Sequence, residues 1–351
     1  MSGVAFVGDV FLPRAFRSEW VVDETDELVV NLEYCITDCE QGLPDRVRLR
    51  ARERYLEPTF GKRPLAACLA NNHVMDYGEP GLLDTMNRLD ALGIKHYGAG
   101  SLSDRCGNPL IVKRGGVTIA VLGYVAPYIP GVASILAQEG SLGVRPLDPG
   151  LVREDIRWTR SMGADRVIVT AHWGVQEVAL PMPRDILIAH EIIDAGADLV
   201  IGHHAHCVQC FEVYRGKYIF YGLGDCIMPD LREPASWKGR SYTYVKRQRA
   251  WNRRSIAVRY NPINGVVDIV PLVFDGQTLR PSSFDVAQLD LSGCKLEKYE
   301  RRFRKAYVVG KFRALMAAYI DQPRIPRPRH VRGLFEVIRK ARRLRDEEEV
   351  A

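Results

Sequence analysis

The sequence lacks any long apolar run. None of its 351 residues falls in a stretch approaching the roughly 18 uninterrupted apolar residues of a membrane-spanning helix. The first residues, Met1-Ser2-Gly3, lead directly into a strand-like segment without a basic leader region. These absences predict a protein that has no transmembrane segment and stays in the cytoplasm, with peripheral binding at the inner membrane surface as the one membrane contact left open.

Disulfide spacing is also missing. The eight cysteines are scattered through apolar or mixed surroundings, as in proteins of a reducing compartment. Cys207 and Cys210 have the C-x-x-C spacing, but neither a second such pair nor a thioredoxin-like context accompanies them. We therefore expect ordinary buried thiols.

Excess positive charge is absent from most of the chain. Residues 295–351 hold 17 Lys and Arg against 8 Asp and Glu, whereas the preceding residues hold 32 against 35. A nearly neutral body with a basic tail restricts anion binding to the tail or to a local patch. The sequence contains no recognisable nucleic-acid-binding module, so no specific nucleic-acid partner is expected.

What the sequence does have is a series of short apolar runs, each followed by polar residues. Segments with helical spacing lie between them, at residues 79–92, 150–162 and 184–195. Strands that alternate with helices predict an α/β protein. The runs and the residues that follow them are 4–7 with Gly8-Asp9, 28–30 with Asn31-Leu32-Glu33, 65–70 with Asn71-Asn72-His73, 167–171 with His172-Trp173-Gly174, and 197–201 with Gly202-His203-His204-Ala205-His206.

The polar residues at these strand ends have the chemistry of a metal site. The carboxyl ends of strands in an open α/β sheet share one crevice, so residues far apart in the chain can meet there. An extended His-x-His segment would present His204 and His206 on the same side. The mixed nitrogen and oxygen set suits Mn, Zn or Fe, and two ions about 3.5–4 Å apart that share a carboxylate would activate water. The predicted ligands of one or two ions are Asp9, Glu33, Asn72, His172, His204 and His206.

Catalytic roles are predicted around these ligands. His73 would protonate a leaving group or stabilise an oxyanion, with Asp9 and His206 beside it at the reacting centre. Asp76 is interpreted as a cap of the following helix rather than as a partner of His73.

Residues 226–254 show no periodicity and are predicted to form a long loop or a lid beside the site. Within them, residues 232–254 hold eight Lys and Arg and one acid, interleaved with four aromatic side chains. The segment is either a flexible connection or an electrostatic funnel for a polyanion. The expected partner is an anionic polymer, a peptide or a small-molecule substrate. The candidate substrate-binding residues are Asn31, Trp173, His203, Arg240 and Lys246.

The C-terminal part of the chain differs in character. Residues 293–319 form a predicted basic helix, and an amphipathic basic helix follows a Pro-rich break at residues 331–349. We expect the last helix to dock a partner or to form a dimer. The predicted domains are residues 1–275, the α/β body, and residues 276–351, a linker with a basic helical extension.

Taken in order, the strand-end motifs resemble the calcineurin-like metallophosphoesterases, and within them the CapA-type family associated with poly-γ-glutamate capsule synthesis. The similarity covers about residues 3–275 and implies a four-layer αββα metallophosphatase-like sandwich. Phe11 stands where classical members carry His, and Glu33 where they carry Asp. Gln176 and Asp225 replace the Glu and Asn of the CapA-type pattern.

The sequence is compatible with three functions. The first is a metal-dependent hydrolase or transferase that acts on an anionic phosphate, acyl or peptide-like substrate in capsule or other cell-envelope polymer synthesis. The second is a metal-dependent peptide epimerase that exchanges a Cα proton. The third is a scaffold that binds an anionic polymer without catalysis.

Overall fold

The computed structural model describes residues 3–106, 109–293 and 296–321. The amphipathic helix predicted at residues 331–349 and the Pro-rich break before it lie outside the described residues. No helix in the described part of the chain has the length and apolar character needed to cross a membrane.

Three of the α-helices begin and end within one residue of their predicted bounds. Asp148 caps the second of these three by accepting a hydrogen bond from the Leu151 N–H at 3.0 Å. Pro149 and Pro183 each occupy a first helical position, where the missing N–H costs no helical hydrogen bond. The helices are α1 (Leu56–Phe60), α2 (Gly78–Ala91), α3 (Pro149–Ser161), α4 (Pro183–Asp194) and α5 (Leu296–Asp321), with 3₁₀ turns at Glu53–Tyr55, Ala133–Ile135 and Ala287–Leu289.

The strands form two large sheets and three small pairs. In chain order they are β1 (Val4–Val10), β2 (Arg17–Ser18), β3 (Glu27–Leu32), β4 (Cys35–Ile36), β5 (Arg50–Ala51), β6 (Ala66–Cys68), β7 (Lys95–Tyr97), β8 (Ala99–Gly100), β9 (Leu110–Arg114), β10 (Val117–Val125), β11 (Gly143–Val144), β12 (Arg166–His172), β13 (Leu199–His203), β14 (Phe211–Tyr214), β15 (Lys217–Phe220), β16 (Asp225–Ile227), β17 (Leu231–Trp237), β18 (Arg240–Lys246), β19 (Arg254–Tyr260), β20 (Val267–Phe274) and β21 (Thr278–Pro281).

The first sheet has the order β2-β21-β20-β19-β1-β3-β6-β7, with β16 also paired to β1. Its strands β1, β3, β6 and β7 run parallel, and β19 joins β1 in the antiparallel direction. The second sheet has the order β14-β15-β13-β12-β10-β9, with four parallel strands in the middle and an antiparallel strand at each edge. Both sheets are therefore mixed.

The two sheets pack face to face between helices. Alternate residues of β1 and β12, such as Phe6 and Ile168, share one buried cluster that lies between the sheets. The intervening residues, such as Val7 and Val169, pack instead with apolar residues of the helices, including Leu89 of α2. This alternation produces the order helix, sheet, sheet, helix, and it confirms the predicted four-layer sandwich.

Residues 226–254 are not the long loop that the sequence predicted. They contain β16 and the hairpin β17–β18, which is closed by Lys238 and Gly239 with φ angles of 50° and 73°. Positive φ at both turn residues is the geometry that suits the twist of a two-residue hairpin. Much of β18 is exposed, so no buried face imposes alternation on its sequence. That exposure explains why no strand pattern is visible in this part of the sequence.

The C-terminal helix is present as α5. The first sheet continues through β21, which begins three residues after the predicted boundary at residue 275. The division of the chain at that residue stays a prediction.

Candidate metal centre

The predicted ligands meet where β1, β3, β12 and β13 end. In the first sheet Asp9 lies opposite Asn31 of β3 and opposite Asp225 of β16. In the second sheet His172 lies opposite His203. Parallel strands end at the same edge of a sheet, and the sheets are stacked, so these distant segments of the chain converge.

His172 is the centre of the first group of donor atoms. Its Nε2 lies 2.6 Å from Asn72 Oδ1 and 3.1 Å from His204 Nδ1. The same nitrogen is 3.6 Å from Glu33 Oε1, and the Asn31 amide donates to His172 Nδ1 at 3.4 Å. Burial, and after it the neighbouring His204, lower the pKa of His172 well below its ordinary value. The ring is therefore neutral, which is the form that binds a cation.

His206 is the centre of a second group. Its Nδ1 lies 2.8 Å from Asp225 Oδ1 and 3.6 Å from Asp9 Oδ2. Its Nε2 lies 3.8 Å from Glu33 Oε1 and 3.2 Å from the amide nitrogen of Gln176. Burial alone would lower the pKa of His206, but the carboxylates of Asp225 and Glu33 raise it to about 10. This side of the site therefore favours positive charge.

Glu33 is shared by both groups and is fully buried. Neither of its carboxylate oxygens has a hydrogen-bond partner among the described residues, whereas buried ionised groups are normally paired or bound to a metal. Burial, and after it the charge of Asp9, raise the pKa of Glu33 well above its ordinary value. A cation beside this carboxylate would supply the partner that the protein does not.

The residues present fit one or two divalent ions. Within each of two sets of candidate ligands, the donor atoms lie within 4.8 Å of one another, and both sets include Glu33. Imidazole and carboxylate donors in this mixture suit Zn, Mn or Fe. The sets are Glu33, His172 and His204, and Asp9, Glu33 and His206, with Asn72 Oδ1 next to the first.

A turn, rather than an extended strand, presents the last two His residues. β13 ends at His203, and His204 and His206 have φ angles of 87° and 51°. Such left-handed conformations cost roughly 1–3 kcal/mol each for residues other than Gly. The His204 N–H donates to Asp9 Oδ2 at 3.0 Å, and Asn252 donates to the His206 carbonyl oxygen at 2.8 Å. These hydrogen bonds stabilise the turn. The prediction of an extended His-x-His segment at this place is therefore wrong.

Gly202 allows the second sheet to close beneath this turn. A Cβ atom at residue 202 would lie 2.0 Å from the Tyr221 carbonyl oxygen and 2.6 Å from Trp173 Nε1. Backbone atoms at that distance have no room to move aside, so the requirement for glycine is steric.

We expect Gly202→Ala to lower the free energy of unfolding by about 3 kcal/mol, the upper end of the usual range for overpacked cores. Urea denaturation followed by circular dichroism measures the change. Gly150→Ala is the matched control, because a Cβ atom there would meet only a side-chain oxygen of Asp148, at 3.0 Å. Equal stability of the two variants would contradict the steric explanation.

His73 lies beside the ligands and faces a cavity. Its Nδ1 lies 2.8 Å from Asp76 Oδ2, which also accepts the Leu49 N–H at 2.8 Å. Arg46 donates to the other oxygen of Asp76 at 3.2 Å. Helix α2 begins at Gly78 without any side-chain cap. The interpretation of Asp76 as a helix cap is therefore wrong, since this buried carboxylate orients His73 instead.

The cavity has a volume of about 100 Å³ and opens onto the ligands through His206. Half of its lining residues carry polar or charged side chains, and the rest are apolar or aromatic. Its lining residues are Val47, Leu49, His73, Gln176, His206, Met228, Leu231, Tyr244, Lys246 and Gln248.

Two of the five candidate substrate-binding residues lie at the site. Lys246 lines the cavity, and Asn31 donates to Asp9 Oδ1 at 2.7 Å, so Asn31 orients a candidate ligand. Arg240 is at the exposed start of β18, six residues before Lys246 and hence about 20 Å away along the strand. The structure does not bring Arg240 to the cavity.

The other two candidates are buried by packing. Trp173 donates from its indole to the Tyr221 carbonyl oxygen at 2.8 Å and stacks on the Tyr221 ring. His203 Nε2 lies 3.1 Å from the Val7 carbonyl oxygen and links the two sheets. Both side chains support the walls of the site and do not line the cavity.

Phe11 and Asp225 are two of the positions at which the sequence departs from the family patterns that it otherwise resembles. Phe11 is fully buried and contacts Tyr34 edge-on, with ring centroids 5.7 Å apart, so it supplies no donor atom. Asp225 contacts His206 directly and was not among the predicted ligands. The signal that could have identified it is its place after the apolar run 218–221 and the segment Gly222-Leu223-Gly224, the same kind of position that the predicted ligands occupy.

Two sheets between helices, with a buried cluster of His residues and carboxylates at the strand ends, define an α/β protein of the metallophosphatase type. Residues 4–230 match the family model described as bacterial capsule synthesis protein PGA_cap. The chain belongs to this family.

Relatives of this chain are also named after capsule synthesis. The capsule biosynthesis protein CapA of Bacillus anthracis is 35% identical over 245 residues, which is 64% of this chain and 59% of that protein. The PGA biosynthesis protein CapA of Bacillus subtilis (strain 168) is 40% identical over 159 residues, 45% of this chain and 41% of that protein. The chain thus spans between 41% and 59% of the length of these two relatives. A hypothetical protein from Thermus thermophilus aligns with a TM-score of 0.42 and 17% identity over 80% of this chain and 96% of that chain.

Proposed function

We propose that this protein is a divalent-metal-dependent hydrolase or transferase that acts on an anionic, peptide-like polymer in poly-γ-glutamate capsule synthesis. The observation that carries the proposal is Glu33, a fully buried carboxylate without a hydrogen-bond partner in the described part of the chain, shared by two sets of metal-ligand side chains. The names of the relatives support a role in capsule synthesis. The basic side chains near the cavity support an anionic substrate.

The ligands and their neighbours have separable tasks in this proposal. Asp9, Glu33, His172, His204 and His206 would hold the metal, which when bound would polarise the substrate and activate water. Asn31 and Asp225 would fix the orientation of Asp9 and His206 through their contacts at 2.7 and 2.8 Å.

His73 is the group best suited to move a proton. Asp76 holds its Nδ1, which leaves Nε2 as the atom directed to the cavity that His73 lines. An imidazole oriented in this way can donate a proton to a leaving group as the bond breaks. Arg46 stabilises the Asp76 carboxylate and so maintains the pair.

Metal removal and reconstitution test the proposal. Protein stripped with a chelator should neither cleave nor transfer oligomers of γ-linked glutamate, and reloading with Mn, Zn or Fe should restore the reaction at one or two ions per chain. Mass spectrometry of the products and metal analysis provide the measurements. The same incubations in deuterated water identify the epimerase, which would incorporate deuterium at Cα without cleavage. A protein that binds the oligomer equally well with and without metal, and converts none of it, would instead be a scaffold.

A further inference from the structure

A second cavity adjoins the one at the metal centre. It has a volume of about 130 Å³ and shares Gln176, Tyr244 and Lys246 with the first cavity. The two cavities are therefore neighbouring compartments of one groove. The part of the groove beyond the shared residues is formed mainly by residues 247–252, which follow β18, and by helix α5.

The second cavity has an excess of positive charge. Four cationic and two anionic side chains line it. Both carboxylates are engaged in holding the wall together. The cationic residues are Lys246, Arg247, Arg249 and Lys311, and the anionic residues are Glu177 and Asp321.

The two carboxylates connect the elements of the wall. Glu177 contacts Lys246 at 2.7 Å and accepts a hydrogen bond from the Trp251 indole at 2.5 Å. Asp321 accepts from Arg249 at 2.5 Å and from the Arg247 N–H at 2.8 Å. Because these acids are committed to the wall, an anion that enters the cavity meets a surplus of two formal positive charges.

Helix α5 is docked closely enough to place a side chain at this cavity. Gly310 packs against the backbone of Glu177, where a Cβ atom would lie 2.3 Å from the carbonyl oxygen. Tyr299, in the first turn of the helix, donates to the Pro181 carbonyl oxygen at 2.6 Å. The next residue after Gly310 is Lys311, whose Nζ donates to the Gln176 carbonyl oxygen at 3.2 Å. Lys311 therefore contacts Gln176, the residue whose side chain contacts His206.

We propose that the second cavity is a subsite for a carboxylate that the substrate carries next to the bond acted on at the metal centre, with Lys311 and Lys246 as its cationic contacts. This proposal rests on the proposed function, since it takes the substrate to be an anionic polymer. A polymer with a carboxylate in every repeat presents one to the second cavity whenever a neighbouring repeat occupies the first. Lys246 and Lys311 both lie beyond residues 4–230, so the two cationic contacts come from outside the region that the family model matches, while Gln176 and Glu177 of that region complete the wall.

Binding of a γ-linked glutamate pentamer to the metal-loaded full chain tests the subsite. Isothermal titration at about 0.15 M salt, where the Debye length is about 8 Å, limits the contribution of distant charges. We expect Lys311→Met to weaken binding about tenfold or more, as expected for the loss of a charged contact. Lys311→Arg should bind within a few-fold of the wild type, because it keeps the charge.

Lys305→Met is the matched control. Lys305 is an exposed lysine of the same helix, about 9 Å along the axis from Lys311 and on another side of it. It should bind the pentamer as the wild type does. A pentamer with its free α-carboxylates amidated should bind weakly and equally to the wild type and to Lys311→Met.

Several outcomes would overturn the subsite. The first two are an equal loss of pentamer affinity in Lys305→Met and Lys311→Met, and no loss of affinity in Lys311→Met. The other two are no binding of the pentamer to the wild type, and binding of the amidated pentamer that Lys311→Met weakens as much as it weakens binding of the unmodified pentamer. Competition by tripolyphosphate as strong as by the pentamer would assign the cavity to phosphate instead. Failure of the proposed function would look different, because the protein would lack metal or turnover while the Lys311-specific loss of binding remained.

Discussion

Glu33→Gln is expected to abolish metal binding and to leave the metal-free fold at least as stable as that of the wild type. The carboxylate belongs to both sets of candidate ligands, so its loss affects every ion that the site can hold. In the metal-free protein the same carboxylate is buried without a partner among the described residues, and the neutral amide of nearly equal size removes that cost. Metal analysis after dialysis against Mn or Zn gives the content, and thermal unfolding with and without metal gives the stability.

The two measurements should change in opposite directions. Metal at 100 to 1,000 times its dissociation constant stabilises a folded protein by about 2.7–4.1 kcal/mol, and only the wild type should gain this. Glu212→Gln is the matched control, since Glu212 is a partly buried carboxylate 2.8 Å from His190 and away from the candidate ligands. Its metal content should equal that of the wild type. A Glu33→Gln protein that kept its metal, or gained stability from metal addition as the wild type does, would refute the shared-ligand assignment.

The convergence of the site could be predicted because it depends on topology more than on detail. Asp9, Glu33 and His172 come at the ends of apolar runs, and parallel strands bring such ends to one edge. The helices were predictable for a similar reason. Local signals mark each helix: the spacing of its apolar residues, and a Pro at its start or a Gly after its end. Burial of the apolar face then stabilises the helix that these signals predict.

Other features depend on contacts that no local pattern encodes. The left-handed turn at His204 is stabilised by Asp9, nearly two hundred residues earlier in the chain. Trp173 and His203 resemble ligand-contacting residues in sequence, but the close approach of Tyr221 and Val7 commits them to packing. The role of Asp76 depended on the fold in the same way.

Residues 232–254, the basic segment, show both what composition can predict and what depends on the fold. Composition identified an excess of Lys and Arg near the site, and Lys246 does line the cavity. Composition could not reveal that Arg240 lies at the exposed start of β18, far from the cavity. Nor could it reveal that α5 packs against the site so that Lys311 contacts Gln176. Those outcomes depend on the register of β17 with β18 and on the docking of a helix from a distant part of the chain.

His73→Gln is expected to keep the full metal content and to lose about 10²- to 10⁴-fold in turnover, the usual contribution of a general acid or base. Neither ligand set found among the described residues includes His73, and the amide preserves much of the volume that the ring fills in the cavity wall. Asp76→Asn should produce a smaller loss of turnover, because it disturbs the orientation of the ring without removing it. Turnover of γ-linked glutamate oligomers and metal analysis on the same samples provide the readouts.

The control for this prediction is a second His–Asp pair. His96 Nε2 lies 3.3 Å from Asp90 Oδ1, and neither residue lines the cavity. His96→Gln therefore removes a comparable pair and should leave both metal content and turnover unchanged. Turnover retained in His73→Gln would exclude the proton-transfer role, and loss of metal in that variant would instead make His73 part of the ligand structure. The expected combination, metal retained and turnover lost, occurs only if His73 acts on the substrate while the strand-end residues hold the ion.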